Sequence, residues 1–194
     1  CVIDAARADH VGCYGYPRET TPNIDRLASD GIVFESHFAQ FAETRPSTAS
    51  LFTGQHPDTH LAYDERTIDP DSFTLAKGLK GAGYHTVLFS QNEYASPSWG
   101  LGREFDEAYC GPHLKQGGRD IPEIWRPGAL LELIAPWLEK APREPFFAYV
   151  HFMPPHDPYI APPEMKFAFA HEEPPGMWQS PFPFAEIEPE LIDA

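Results

Sequence analysis

Asp4, Thr44, Asn92, His151 and His156 are residues whose types suit the binding of a metal ion and an oxyanion, and their placement along the chain follows a pattern. Asp4 follows the short apolar run Cys1-Val2-Ile3, and the loop with Thr44 follows a run that begins at Ile32. Asn92 closes HTVLFSQN, His151 lies in FFAYVHF, and His156 follows it in PPHDPY. Each run reads as a β-strand, and in an open α/β sheet ligands bind outside the carboxyl ends of the strands. Taken singly, each residue has an ordinary reading: Asp4 and Asn92 as turn residues, Thr44 as a helix cap or loop hydroxyl, His151 as a histidine satisfied in the core or at a strand end. His156 is better placed for chemistry, because flanking prolines stiffen the backbone that presents it. Convergence of four strand ends is the stronger signal.

The stretch around Thr44 reads TRPSTASLFTG. With Pro46 in the first turn of a helix, free backbone N–H groups and the positive end of the macrodipole face the Thr44 hydroxyl, which favours an alkoxide and an incoming phosphate or sulfate. A free threonine hydroxyl is a poor nucleophile, so a metal ion is also needed to lower its pKa. Asp4 is the first ligand for such an ion and Thr44 the second. Hard oxygen donors suit Ca²⁺, Mg²⁺ or Mn²⁺, and imidazole ligands shift the choice toward Zn²⁺. One carboxylate and one hydroxyl fall short of the roughly six to eight oxygens that calcium takes.

The elements that must position these groups alternate between helix and strand, which predicts an α/β fold with a largely parallel sheet. Thr21 and Pro22 read as the N-cap and first position of a helix with Ile24, Leu27 and Ala28 on one face, closed by Gly31. IVFESHFAQ from Ile32 follows as a strand. Ser72 caps a second helix carrying Phe73, Ala76 and Leu79 and stopped by Gly81 and Gly83, after which HTVLFSQN is a buried strand. Leu130, Leu133, Ile134, Trp137 and Leu138 share one stripe of a third helix, and FFAYVHF from Phe146 is the strand after it. The order amounts to two or three βαβ units in succession. The segment 104–128, punctuated by Gly and Pro, reads as irregular, and no internal repeat is present.

With 194 residues, 42% of them hydrophobic, the chain can bury one sizeable core. Its 22 prolines are about twice the usual share and cluster after residue 154, where the chain also turns acidic, predicting an extended or loop-rich end. A formal charge of -15 excludes a nucleic-acid backbone as partner, since that binding draws on clustered Lys and Arg. Cys1, Cys13 and Cys110 cannot all pair within the chain, and their spacing is not that of a zinc site. No apolar run approaches the roughly 18 residues of a membrane span, and no charged stretch precedes an apolar one at the start. The sequence opens at CVID as though within a strand, which leaves cytoplasmic and exported destinations open, as it does the oligomeric state.

The strings DAARADHVGCYGYPRETTPNIDRLASDGIVFESHFAQ, TRPSTASLFTGQHPDTH and HFMPPHDPY, in that order and spacing, resemble the N-terminal half of the sulfatase family within the alkaline-phosphatase-like superfamily, over most of residues 1–160. The resemblance implies a three-layer α/β/α fold with a mostly parallel sheet, present as an N-terminal fragment. Residues 1–160 would form the first part of a catalytic domain and residues 161–194 a Pro-rich, acidic connection or lid. The implied activity is metal-dependent hydrolysis of an ester in a small-molecule, glycan or lipid substrate. Asp4 matches the metal-binding aspartate after the first strand. Thr44 falls at the nucleophile position of the pattern Cys-x-Pro-Ser-Arg, Pro46 and Ser47 match its third and fourth positions, and Thr48 stands where its arginine would be. His156 matches the histidine of a His-Pro-Tyr segment that contacts the transferring group. Asn92 falls where related phosphodiesterases present an asparagine to the same oxyanion.

The departures from the family pattern favour phosphorus. Sulfatases convert a Cys or Ser at the nucleophile position to formylglycine, and threonine, with its extra methyl on Cβ, cannot yield that aldehyde, so no formylglycine is expected. Ala5 replaces a second aspartate, and FSQN lacks the lysine and histidine common in that region. Threonine is typical of branches that transfer phosphoryl groups, including phosphodiesterases and phosphoethanolamine transferases. The leading expectation is thus a metal-dependent sulfatase-family hydrolase that cleaves phosphate esters in preference to sulfate esters. The alternatives are a non-catalytic domain that binds an anionic or glycan ligand, a truncated chain without a complete metal site, since nothing after residue 160 resembles the family's later Asp-Asn or Asp-His pair, and a structural domain in which Thr44 only caps a helix.

Overall fold

HTVLFS and FFAYVHF contain β-branched and aromatic residues and no proline or glycine, the composition of a strand that packs on both faces. They form the two central strands of a parallel sheet in the computed structural model, which describes residues 1–63, 66–110, 128–140 and 145–157 together with Ala161, Met165 and Ala168. The strands are β1 (Val2–Ile3), β2 (His85–Ser90), β3 (Glu107–Cys110) and β4 (Phe146–Phe152), in the spatial order β1-β4-β2-β3. β4 pairs with β2 from His85↔Phe146 to Ser90↔His151, and with β1 through Val2↔His151 and Ile3↔Phe152. The first strand therefore lies beside the last, and the residues after β1, β4 and β2 emerge on one edge.

Side-chain alternation along the central strands supplies both faces of the core. Leu88 packs with Ala49 and Phe52 of α2 (Thr44–Thr53) and Ala76 of α4 (Leu75–Gly81), in the cluster that also holds Tyr149 of β4. Val87 and Phe89 instead pack with Leu130, Ile134 and Trp137 of α5 (Ala129–Glu139), together with Ala148, Val150 and Phe152. Helices on both faces of a parallel sheet make the three-layer α/β/α arrangement expected from the sequence. α2 has Pro46 in its first turn, where a helix loses no hydrogen bond to proline, and ends at Gly54 in the left-handed region with φ 68°. The short α3 (Pro57–His60) is tied to it through the buried Ser50 Oγ and His60 Nε2, 3.0 Å apart.

Several elements differ from their sequence-based expectation. IVFESHFAQ forms no strand: β1, at the edge of the sheet, spans only two residues and so offers almost no ladder to pair with, and Ile32 is 85% exposed. α1 (Pro22–Asp30) has Thr21 at its N-cap and Gly31 at its end, as expected, but it buries no residue, and Ile24 and Leu27 on its apolar face are exposed. The cap of the second helix is Thr74 rather than Ser72, because the Thr74 hydroxyl accepts the Lys77 N–H at 3.3 Å while also donating to Glu104; Phe73 falls outside the helix. Within the segment read as irregular, Glu107–Cys110 is the edge strand β3. It is too short to show a period, and its register is fixed by Asp106, whose carboxylate accepts the Thr86 N–H and hydroxyl, both at 2.9 Å. The α5 stripe is narrower than expected, with Leu133 and Leu138 exposed at its margin. Residues 111–127 and almost all of 161–194 lie outside the described residues.

Candidate active site

The residues after the strand ends meet at one carboxylate. Asp4 is fixed at the seam between β1 and β4, where its N–H donates to Phe152 O at 2.9 Å, and the chain then turns through Ala5 in the left-handed region, φ 55°. Asp4 Oδ2 accepts from Thr44 Oγ1 at 3.2 Å and from Asn92 Nδ2 at 2.5 Å, and it lies 3.1 Å from His151 Nε2. Asn92 Nδ2 is also 3.5 Å from Thr44 Oγ1. The sequence-predicted Asp4, Thr44 and Asn92 thus come together from three separate segments.

Each partner is held by its own local structure. Thr44 is the first helical residue of α2, after Glu43 at the N-cap, and the first helical bond runs from Ser47 N–H to Glu43 O at 3.1 Å. The N–H groups of Thr44 and Arg45 therefore precede the helical ladder and remain available to an anion. Asn92 accepts the Tyr94 N–H through Oδ1 at 2.9 Å, which turns its amide nitrogen to Asp4 and makes it a donor to negative charge rather than a cation ligand. Ser90 braces the same residue, exchanging bonds with its backbone at 2.9 and 3.1 Å. Thr48 turns its hydroxyl back along the helix to the carbonyls of Thr44 and Arg45.

His151 is the member whose contact with Asp4 the sequence did not disclose. It is buried on the same face of β4 as Tyr149, two residues earlier, and its Nδ1 lies 2.9 Å from the Tyr149 hydroxyl. Burial first, and then the Asp4 charge, push the Tyr149 pKa up, so the phenol stays protonated. Burial, the largest influence on Asp4, works to raise its pKa. The bond and charge of His151, the Asn92 bond and the charge of His156 outweigh it and hold the carboxyl below its ordinary value, so Asp4 is an anion at neutral pH. His156 is not drawn into the cluster. Its Nδ1 sits 2.8 Å from Asp157 O and 2.9 Å from the Asp157 carboxylate, and it reaches Asp4 through its charge alone.

Among the described residues no group of three or more His, Cys, Asp and Glu side chains gathers to hold a metal. The donor set fits one wall of a divalent-cation site: an ionised carboxylate beside a hydroxyl, with only uncharged Thr44 and Asn92 and an imidazole around it. A hard cation bound by Asp4 and Thr44 would draw its other oxygens from water, substrate or residues outside this cluster.

Residues 1–179 match the model of the sulfatase family. The chain belongs to the sulfatase family. It is 31% identical over 151 residues to the ulvan-active sulfatase of Formosa agariphila, a match over 77% of this chain and 28% of that protein. It is 44% identical over 126 residues to iduronate 2-sulfatase of Mus musculus, over 64% of this chain and 20% of that protein. The chain thus spans less than a third of the length of these relatives. Its fold is similar to that of the phosphonate monoester hydrolase of Agrobacterium radiobacter, with a TM-score of 0.66 at 22% identity, over 84% of this chain and 42% of that one. That likeness places the three layers in the alkaline-phosphatase-like fold.

Proposed function

We propose that this sulfatase-family chain carries the nucleophile of a metal-dependent ester hydrolase, with Thr44 attacking phosphorus in preference to sulfur. The observation that supports this most is the Thr44 hydroxyl at the start of α2, 3.2 Å from the ionised Asp4 and 3.5 Å from the Asn92 amide. A threonine that merely capped α2 would occupy the N-cap and turn its oxygen to the N–H groups of the next turn. Glu43 holds that position, and Thr44 donates across the fold to Asp4 instead.

Asp4 takes the hydrogen bond of the hydroxyl and orients its lone pairs, while the amide hydrogens of Asn92 meet the negative charge that develops on the oxygen. The free N–H groups of α2 meet the equatorial oxygens of the transferring group, a case where positioning and electrostatics dominate the barrier. His151, backed by Tyr149, keeps Asp4 in place. As the bond from Thr44 Oγ1 to phosphorus forms, the hydroxyl proton passes to Asp4 and the ester P–O bond breaks, while His156, its Nδ1 engaged by Asp157, leaves Nε2 to protonate the departing oxygen; water then displaces Thr44 from phosphorus and restores the hydroxyl. A divalent cation, calcium, magnesium, manganese or zinc, held by Asp4 and Thr44 would lower the pKa of the hydroxyl and polarise the ester. The names of the relatives favour sulfate. The methyl on Thr44, which bars conversion to formylglycine, favours phosphorus, and the fold likeness to a phosphonate monoester hydrolase is in keeping with it. The substrate class is a small-molecule, glycan or lipid ester.

The test is turnover of a matched aryl sulfate and aryl phosphodiester. The diester is expected to react faster, and Thr44→Ala to lower that rate on the order of 10⁴-fold without a change in melting temperature. Faster turnover of the sulfate would overturn the choice of phosphorus, and an unchanged rate in Thr44→Ala would overturn the nucleophile.

A further inference from the structure

Pro154 and Pro155 have no backbone N–H, so the turn that carries His156 away from β4 has few means of attachment. Within the turn, the His156 N–H donates to Met153 O at 2.9 Å. Outside it, the Met153 N–H donates to the side-chain oxygen Oε1 of Gln91, also at 2.9 Å, and both residues are buried. Gln91 directly follows β2, and its own N–H donates to His151 O at 3.0 Å, one rung beyond the pair Ser90↔His151. In a parallel ladder the next rung would join the Met153 N–H to the main-chain carbonyl of Gln91. The side-chain carbonyl takes that place instead. The tie between the strands thus continues past the point where the backbone of β2 turns off toward Asn92.

Two groups of the candidate site diverge from that tie. Asn92, next in sequence, is held by Ser90 and Tyr94 and does not depend on the Gln91 side chain. His156 has its ring oriented by Asp157, a neighbour in the same loop, and that bond does not fix the loop against the sheet. The exit of β4 is held from the β1 side by the Asp4 N–H on Phe152 O and from the β2 side by Gln91. A buried N–H deprived of its acceptor is costly, so loss of the Gln91 oxygen would be relieved by movement of the turn. A displacement of about 1 Å is enough to cost on the order of 10²-fold in rate.

We propose that Gln91 is a positioning residue for the reaction: its side-chain carbonyl stands in for the next rung of the sheet and holds the turn Met153–His156 where His156 can protonate the departing oxygen. This role rests on His156 acting as the leaving-group acid. Gln91 itself is buried and needs no contact with the substrate. Its effect is therefore expected on the departure of the leaving group and not on the Thr44 side of the centre, where Asn92 has its own supports.

Gln91→Met keeps the length of the side chain and removes the oxygen. Amide exchange followed by NMR should show the Met153 N–H exchanging about tenfold faster, while the Tyr94 N–H, bonded to Asn92 Oδ1, keeps its protection. Methyl phenyl phosphate and methyl 4-nitrophenyl phosphate read the consequence for the reaction, since phenoxide needs the proton and nitrophenoxide leaves with little help. The ratio of their kcat/KM values, nitrophenyl over phenyl, is expected to rise about tenfold in Gln91→Met, in the same sense as in His156→Ala, and the double variant should match His156→Ala alone. A side chain that only filled the core would lower both rates alike. Gln91→Asn, whose amide stops one carbon short of Met153, is expected to shift the ratio in the same way and carries the test should the methionine variant not fold. Unchanged Met153 exchange, an unchanged ratio in either Gln91 variant beside a raised one in His156→Ala, or additive effects in the double variant overturns the role of Gln91 and leaves the acid in place. An unchanged ratio in His156→Ala removes the acid, and the positioning role falls with it. Should sulfates prove the better substrates, phenyl and 4-nitrophenyl sulfate give the same comparison, so the choice of phosphorus can fall without the role of Gln91.

Discussion

Phe52 and Phe38 stand in two regions that treat apolar side chains differently. Phe52 is 2% exposed and sits between α2 and the sheet, with the rings of Tyr149, Phe105 and Phe147 at centroid distances of 4.9, 6.0 and 6.5 Å. Phe38 is 77% exposed, on a run that neither strand nor helix covers. The contrast extends beyond these two residues. α1 and the two 3₁₀ turns before it bury nothing, whereas α2 buries Pro46, Thr48, Ala49, Ser50 and Phe52. An apolar stripe states which face of an element is to be covered, and covering it requires a partner surface. β2 and β4 offer that surface on both sides, while β1 with two residues offers almost none. The candidate site lies on the seam. Asp4 comes from the thinly packed region and is held by hydrogen bonds, and Thr44, Asn92 and His151 come from the packed one.

The contrast is most open to breakage at Phe52. Phe52→Ala removes a ring from a closed layer, and the expected loss is about 3–5 kcal/mol, a large part of the roughly 5–15 kcal/mol that a domain has in total. Urea unfolding should show a lower midpoint at an unchanged slope. Because α2 also carries Thr44, hydrolysis should be lost at lower temperature in this variant. A cost under about 1 kcal/mol, the range of a surface change, would mean that the layer is not the core.

Much of this arrangement could be read from local sequence, and the rest depends on strand order. Asp4, Thr44 and Asn92 were legible because strand ends and helix starts leave local marks: an apolar run ending in a carboxylate, a proline in a first turn, an asparagine after a buried strand. The bond between His151 and Asp4 was not, since it exists only because β1 lies beside β4, and adjacency of the first and last strands has no local signature. The fall of Tyr149 and His151 on one face of FFAYVHF was the available clue. IVFESHFAQ was misread for the converse reason. Its composition suits a strand, but strand propensity reflects fit to a sheet surface, and the edge strand β1 is only two residues long. β3 escaped notice because EAYC is too short for a period, and the packing of the Arg45 guanidinium over the rings of Tyr94 and Trp99, at 5.1 and 4.4 Å from their centroids, is a tertiary fact throughout.

His60 gives a smaller effect that sharpens the same contrast from within the packed region. It is buried between α2 and α3, where Nδ1 accepts the Ala62 N–H at 2.9 Å and Nε2 meets Ser50. Burial lowers its pKa, opposed by a bond to the Pro46 carbonyl and aided by the charge of His56. The unfolded chain, with an ordinary histidine pKa of about 6.5, therefore takes up the proton first. Stability is fully present above that pH and declines as pH falls below it, until the folded-state pKa is passed. Urea midpoints between pH 7 and 5 should show the decline, and His60→Gln should be less stable at pH 7 with a flatter dependence. The same slope in both proteins would assign the effect to other groups.

The smallest effect belongs to Phe38, and its smallness is what the contrast requires. The ring meets water in the folded chain almost as it does in the unfolded one, so folding gains little from it and Phe38→Ser removes little. The expected change in unfolding free energy is within about 0.5 kcal/mol, at the same denaturant slope. Phe34→Ser, 68% exposed on the same run, should behave alike, and the double variant should equal the sum because neither ring has a layer to disturb. A combined loss above about 2 kcal/mol would be the signature of a buried aromatic. It would show that residues 32–40 are covered in solution, and the division into a packed and a thin region would then have to be withdrawn.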